Sequence, residues 1–177
     1  MTLVHLSRYD AGQERKRSGT FILPLPDRST HILVINTTSA TLDYSTLGSW
    51  SGQSKFGMPV LASDGLIYVP PIARTEFLVI DPTVPSVNDS VVTPAAGAAY
   101  YSGAVQMGDY IVSFPWTGEH TMVMDIDTYT QDTTSLPFPA GTYKFRGGVV
   151  ADNGKAYSIP YYYDGILVIA PEDLGIK

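Results

Sequence analysis

The chain of 177 residues contains no cysteine. That absence removes thiol nucleophiles, thiolate metal sites and disulfide staples together. A chain of this length can bury a core as one domain without such staples. Charge is sparse as well: charged residues make up 16% of the sequence and leave a net charge of −6. A nucleic-acid binder needs the opposite, a basic stripe that displaces counterions, so no nucleic-acid partner is expected. No apolar run approaches the ~20 residues of a membrane span, which argues against membrane insertion. The opening residues Met1-Thr2-Leu3-Val4-His5 lack a basic segment followed by an apolar stretch. No secretion signal is read there, so the expectation from the residues alone is a cytoplasmic protein, while the lack of cysteine leaves the compartment open.

What the chain has in quantity is twelve tyrosines, thirteen prolines and sixteen glycines. Such a mixture suits short strands broken by tight turns and leaves little room for helices. The strands recur. Phe21-Ile22-Leu23-Pro24 precedes Ile32-Leu33-Val34-Ile35, and Ile67-Tyr68-Val69-Pro70 precedes Phe77-Leu78-Val79-Ile80. Val112-Ser113-Phe114-Pro115 precedes Met122-Val123-Met124, and Ala156-Tyr157-Ser158-Ile159-Pro160 precedes Ile166-Leu167-Val168-Ile169. The prolines at 24, 70, 115 and 160 are spaced 46, 45 and 45 residues apart. Gly12, Gly103 and Gly148 each lie twelve residues before one of them, with Met58 in that place in the second copy. Asp64-Gly65, Gly108-Asp109 and Asn153-Gly154 supply hairpin turns between the first two strands of a copy. Asn36, Asp81 and Asp127 stand after the third strands and suit turn capping better than calcium binding.

Four copies of about 45 residues, each read as four strands, predict an all-β fold: a single four-bladed β-propeller. Its blades would run over 9–53, 54–98, 99–142 and 143–177 plus 1–8, so that an N-terminal strand at Thr2–Leu6 completes the last blade and closes the ring. The third strands are nearly continuous apolar runs, as sheets buried on both faces require. The alternative is an open half-ring that pairs with a second chain into eight blades.

The unit Phe145-Arg146-Gly147-Gly148-Val149, then Gly154-Lys155-Ala156-Tyr157-Ser158-Ile159-Pro160, then Ile166-Leu167-Val168-Ile169 resembles kelch-like propeller repeats in its order of elements. It departs from them at Ile159-Pro160, where that family has paired glycines. It is similar also to a variant repeat of the form glycine-valine, tyrosine-x-isoleucine-proline, valine-leucine-x-isoleucine-aspartate, seen in predicted proteins of tailed phages and some algae. The resemblance implies a virion location, in a tail, fibre or head-surface part, with neighbouring virion proteins or further copies of the chain as partners. It specifies fold better than function.

Loops after the second strands fall on one face of the predicted ring. Trp116, Tyr161, Tyr162 and Tyr163, with Glu119 and Asp164 nearby, form a candidate ligand or partner site, because partner side chains and sugar rings both stack on flat amphipathic surfaces. The bland alternative packs these rings between blades. Arg15-Lys16-Arg17 lengthens the first hairpin turn and is a candidate contact loop for an acidic neighbour or a phosphate. His5, His31 and His120 share no metal-ligand spacing, and no Gly-x-Ser-x-Gly elbow or paired acids stand out. The sequence therefore predicts no catalytic residues, no metal and no cofactor. It favours a structural or interaction protein, with a carbohydrate-binding module that recognises a cell-surface glycan as the alternative.

Overall fold

The computed structural model describes residues 21–22, 30–36, 38–45, 47–52, 55–74, 77–84, 86–88 and 100–176. These form four antiparallel sheets in chain order. The first holds β1 (Phe21–Ile22), β2 (Val34–Asn36) and β3 (Thr41–Asp43). The second holds β4 (Val60–Leu61), β5 (Ile67–Val69), β6 (Leu78–Asp81) and β7 (Ser86–Asn88). The third holds β8 (Tyr101–Met107), β9 (Tyr110–Pro115), β10 (Met122–Asp125) and β11 (Gln131–Asp132). The fourth holds β12 (Phe145–Val150), β13 (Ala156–Pro160) and β14 (Val168–Ile169), followed by a 3-10 turn at Pro171–Leu174.

The all-β class stands, but the single closed four-bladed propeller does not. The described strands make four separate sheets of three, four, four and three strands, none closed into a barrel or ring. Closure needs the fourth sheet to pack on the first, and the buried apolar clusters instead join only successive sheets. One cluster sets Ile32 and Val34 against Ile67 and Ile80, a second sets Tyr68 and Val79 against Ile111 and Met124, and a third sets Val112 and Phe114 against Phe145, Ala156 and Ile169. Among the described residues no cluster joins the fourth sheet to the first. The expected closing segment, 1–8, lies outside the described residues.

Each sheet repeats the same cross-strand rows. One row reads Val60–Tyr68–Val79–Asn88 in the second sheet, Val105–Val112–Val123–Asp132 in the third and Val149–Tyr157–Val168 in the fourth. The first sheet contributes Val34–Asp43 to the same row. Because side chains alternate across a strand, this row faces the following sheet and its neighbour faces the preceding one. The geometry shifts the sequence register by one residue in the second copy. Phe56, Tyr101 and Phe145 pair with Pro71, Pro115 and Pro160, so Pro71 rather than Pro70 is the structural equivalent.

Successive sheets meet closely along their first strands. Met58 forms a parallel bridge with Gly103, its N–H donating to the Ser102 carbonyl at 2.9 Å, while the Ala104 N–H donates to the Met58 carbonyl at 3.2 Å. The Gly147 N–H donates to the buried Ser102 hydroxyl at 2.9 Å. A methyl on Gly57 would lie 2.7 Å from the Tyr101 carbonyl oxygen, and one on Gly148 would overlap the Phe114 ring and the Tyr157 carbonyl. Space, not backbone conformation, selects glycine at both positions. At the hairpin tips the reason is different, since Gly65 and Gly154 have φ of 87° and 77°, a region that penalises a side chain.

Turns after the third strands are capped from the strand ends. Asn36 Oδ1 accepts the N–H groups of Thr38 and Ser39. Asp81 accepts from Thr83 and Val84, and Asp125 accepts from Asp127 and Thr128. The third cap is therefore Asp125 and not Asp127, in keeping with the shifted register. Asp132 caps a further turn through Thr134 and Ser135.

Gly57→Ala and Gly148→Ala each lower unfolding free energy by about 1–3 kcal/mol through overpacking, read as a lower urea midpoint at unchanged slope. Gly118→Ala, whose methyl would meet nothing closer than 3.9 Å, stays within about 0.5 kcal/mol. Hydrogen bonds from Thr83, Thr128 and Ser135, respectively, hold the Asp81, Asp125 and Asp132 carboxyls below their ordinary 3.8. A depressed folded-state value stabilises the protein above the unfolded value and loses that contribution as pH falls through the folded one. Stability should thus decline below pH 3.8, and Asp81→Asn with Asp125→Asn should flatten that decline in urea titrations at stepped pH.

Candidate binding site

Backbone hydrogen bonds across the seam of the third and fourth sheets set up the site. The Trp116 N–H donates to the Tyr100 carbonyl at 2.6 Å, the Lys144 N–H to the Trp116 carbonyl at 2.9 Å, and the Tyr161 N–H to the Lys144 carbonyl at 2.9 Å. The Tyr162 N–H continues the chain to the Tyr143 carbonyl at 3.0 Å. Residues that follow Pro115 and Pro160 are thereby brought side by side although 45 positions separate them.

Their rings form a ledge. Trp116 and Tyr161 stack with centroids 5.4 Å apart and planes 17° from parallel. Tyr143 meets the Trp116 ring edge-on at 5.1 Å, and Tyr162 lies 4.5 Å from Tyr161 and 6.0 Å from Tyr143. The Arg146 guanidinium sits 4.8 Å from the Tyr161 centroid and 5.9 Å from that of Trp116, within cation–π reach. The ledge is open to solvent: Tyr161 is 45% and Tyr162 71% exposed, and Trp116 is half-buried. Tyr143 has φ of 56°, a left-handed conformation uncommon for an aromatic residue; its carbonyl is the acceptor that places Tyr162.

Lys144 lies beneath this surface and is 1% exposed. Its ammonium donates to the carbonyls of Gly118 and Gly141 and lies 5.7 Å from the Phe138 ring. Burial pushes its pKa below the ordinary lysine value, against the opposing charge of Glu119. The link to Gly118 ties the loop after β9 to the strand that carries Arg146. Lys55 occupies the equivalent place in the second copy, is also 1% exposed, and donates to the Gly52 carbonyl at 2.7 Å.

The sequence-selected residues thus divide. Trp116, Tyr161 and Tyr162 come together; Tyr163 turns away to pack on Phe138 and Phe145, at 5.1 and 5.5 Å. Glu119 and Asp164 are exposed in the loops that carry Trp116 and Tyr161. Arg15, Lys16 and Arg17 lie outside the described residues. Sequence reasoning missed Arg146, Tyr143 and Lys144 as members. The available signal was the recurrence of Lys55-Phe56 and Lys144-Phe145 in matching positions, a lysine repeated next to a core aromatic. His31 Nδ1 is 2.8 Å from the Thr30 hydroxyl, and among the described residues no cluster of three or more His, Asp or Glu could hold a metal ion. No described helix is long and apolar enough to cross a membrane.

No protein-family profile and no curated protein matches the chain. Solved structures do. The extracellular domain of BT4673 from B. thetaiotaomicron, described as belonging to a hybrid two component system, superimposes with a TM-score of 0.64 at 13% identity over 85% of this chain and 19% of that one. Kuenenia stuttgartiensis hydrazine synthase gives 0.61 at 11% identity over 93% of this chain and 50% of that one. The computationally designed Ika4 protein gives 0.59 at 13% identity, covering 90% of this chain and 94% of that one. The likeness is one of fold. The chain spans only 19% of the BT4673 domain's length and half of the hydrazine synthase chain.

Ring stacking of this kind contributes about 0.5–1.5 kcal/mol beyond buried area. Tyr161→Ala, which removes the stacked partner of Trp116 and the nearer platform for Arg146, should lower unfolding free energy by about 1–2 kcal/mol. Tyr162→Ala should stay within about 0.5 kcal/mol. Paired urea denaturation curves check the difference.

Proposed function

We propose that this chain is a non-catalytic interaction module that holds a protein partner on the ledge of Trp116, Tyr143, Tyr161, Tyr162 and Arg146. The observation that carries this reading is exposure: the ring cluster is open to solvent rather than sealed between sheets. Tryptophan, tyrosine and arginine are the residues that dominate binding energy at protein interfaces, and rigid rings lose little entropy on contact. Here Trp116 and Tyr161 already brace each other, which lowers the cost of ordering them further. A particle setting, as a virion component among neighbouring virion proteins, belongs to this proposal on the strength of the repeat's resemblance alone.

Carbohydrate binding is the second reading, favoured by the exposed Tyr162 ring with the exposed carboxylates Glu119 and Asp164 in the same loops. It is the weaker one, because a sugar needs a free aromatic face, and Trp116 has one face against Tyr161 while Tyr143 and Arg146 also approach it.

Affinity capture on the immobilised chain, run beside Tyr161→Ala/Tyr162→Ala, tests the proposal together with a glycan array. A stoichiometric protein retained by the parent and lost on the double variant is the expected result. Glycan binding lost on the same variant moves the function to carbohydrate recognition, and capture indifferent to the variant overturns the ledge as the site.

A further inference from the structure

The repeated row described above has a buried and an uncovered version. In the second sheet Tyr68 and Val79 are 0% and 6% exposed, and in the third Val105 and Val112 are 7% and 0% exposed, because the following sheet covers each. In the fourth sheet the place of Val105 is held by Val149 at 56% and that of Val79 by Val168 at 45%, with Tyr157 half-buried between them. Their neighbours on this face are Ile159 and Ile166, also exposed, where the third sheet has the fully buried Phe114 and the 1% exposed Thr121. An apolar cluster of this size standing in water is unusual for a finished surface. Its chemistry is that of a face made for another sheet.

Among the described residues, the opposite half of the same interface is partly exposed on the first sheet. The row that faces the preceding sheet reads Leu61–Ile67–Ile80–Val87 in the second sheet, where it packs on the first. In the first sheet its equivalents Ile35 and Leu42 pair across β2 and β3, and Leu42 is 59% exposed with Tyr44 beside it at 56%. Among the described residues one interface is thus used three times, and its two halves on the first and fourth sheets are unmatched.

We infer that the fourth-sheet face, centred on Val149, Tyr157, Ile166 and Val168, docks the first-sheet face, centred on Ile35 and Leu42, of a second copy of this chain. The occupant follows from continuity, since the first-sheet face is the surface whose repeats in the second, third and fourth sheets already fit the row in question. The contact is head-to-tail, so each copy offers one half to a neighbour and the association closes or propagates with the rotation between copies. The rings of the ledge are not members of the repeated row, so the inference does not rest on the proposed function.

Sedimentation equilibrium of the full chain over a wide concentration range, with Val168→Asp and Leu42→Lys variants, tests it. The parent is expected to sediment at two or more times the 19.2 kDa monomer mass, each variant to shift to the monomer, and an equimolar mixture of the two to recover the association, because one interface then gains an Asp–Lys pair and the other keeps both native halves. Tyr162→Ala should leave the mass unchanged. A parent that stays monomeric throughout, or an oligomer indifferent to both variants, overturns the inference. Both positions are exposed, and cooperative thermal unfolding confirms that each variant folds; Val149→Asp, in the same row, replaces Val168→Asp if that one does not.

Discussion

Close approach between successive sheets is the constraint on which the rest of the structure depends. The strands that begin the second, third and fourth sheets run near one another, and Gly57, Gly103, Gly147 and Gly148 leave the room they need. Without that room the Met58–Gly103 bridge could not form, and the Ser102 hydroxyl could not reach the Gly147 N–H. Once the first strands are fixed, twist and alternation place one row of each sheet against the other row of its neighbour, and the three apolar clusters follow.

Such packing decides which polar groups can be buried. Lys55 and Lys144 enter the interior because loop carbonyls at Gly52, Gly118 and Gly141 turn inward to accept their ammonium protons. An ammonium buried without acceptors would be strongly destabilising. At Lys144, at the start of the fourth copy, the acceptors Gly118 and Gly141 come from two loops of the third, so the lysine also fixes how the loop bearing Trp116 sits over the fourth sheet. The ring ledge is in that sense a consequence of a buried charge.

Much of the local order was legible in the sequence. Apolar third strands, hairpin glycines and strand-end caps follow from short-range rules, and the structure shows them at Leu78–Asp81, Gly154 and Asp81. Ring closure was not legible, because it depends on how the end sheets meet, and nothing in a row such as Val149–Tyr157–Val168 says whether its cover comes from the same chain. The one-residue shift at Pro71 escaped for a related reason. Of the two adjacent prolines, Pro70 gives the more even spacing, and only pairing with Phe56 identifies Pro71 as the equivalent. At the site, Trp116 and the tyrosines could be named from composition, whereas Arg146 joins them only because β12 lies against the loop after β9.

The repeat also explains why, among the described residues, the ledge occurs at one seam. Ile72, Trp116 and Tyr161 hold equivalent places, each donating its N–H to the carbonyl of Lys55, Tyr100 and Lys144 respectively. At the seam of the second and third sheets the neighbours are therefore Ile72 and Trp116, and an aliphatic side chain cannot stack as a second ring. At the next seam they are Trp116 and Tyr161, with Arg146 above and Lys144 below. A scaffold of near-identical sheets supplies the same geometry at every seam, and substitution at a few loop positions turns one of them into a surface with distinct chemistry.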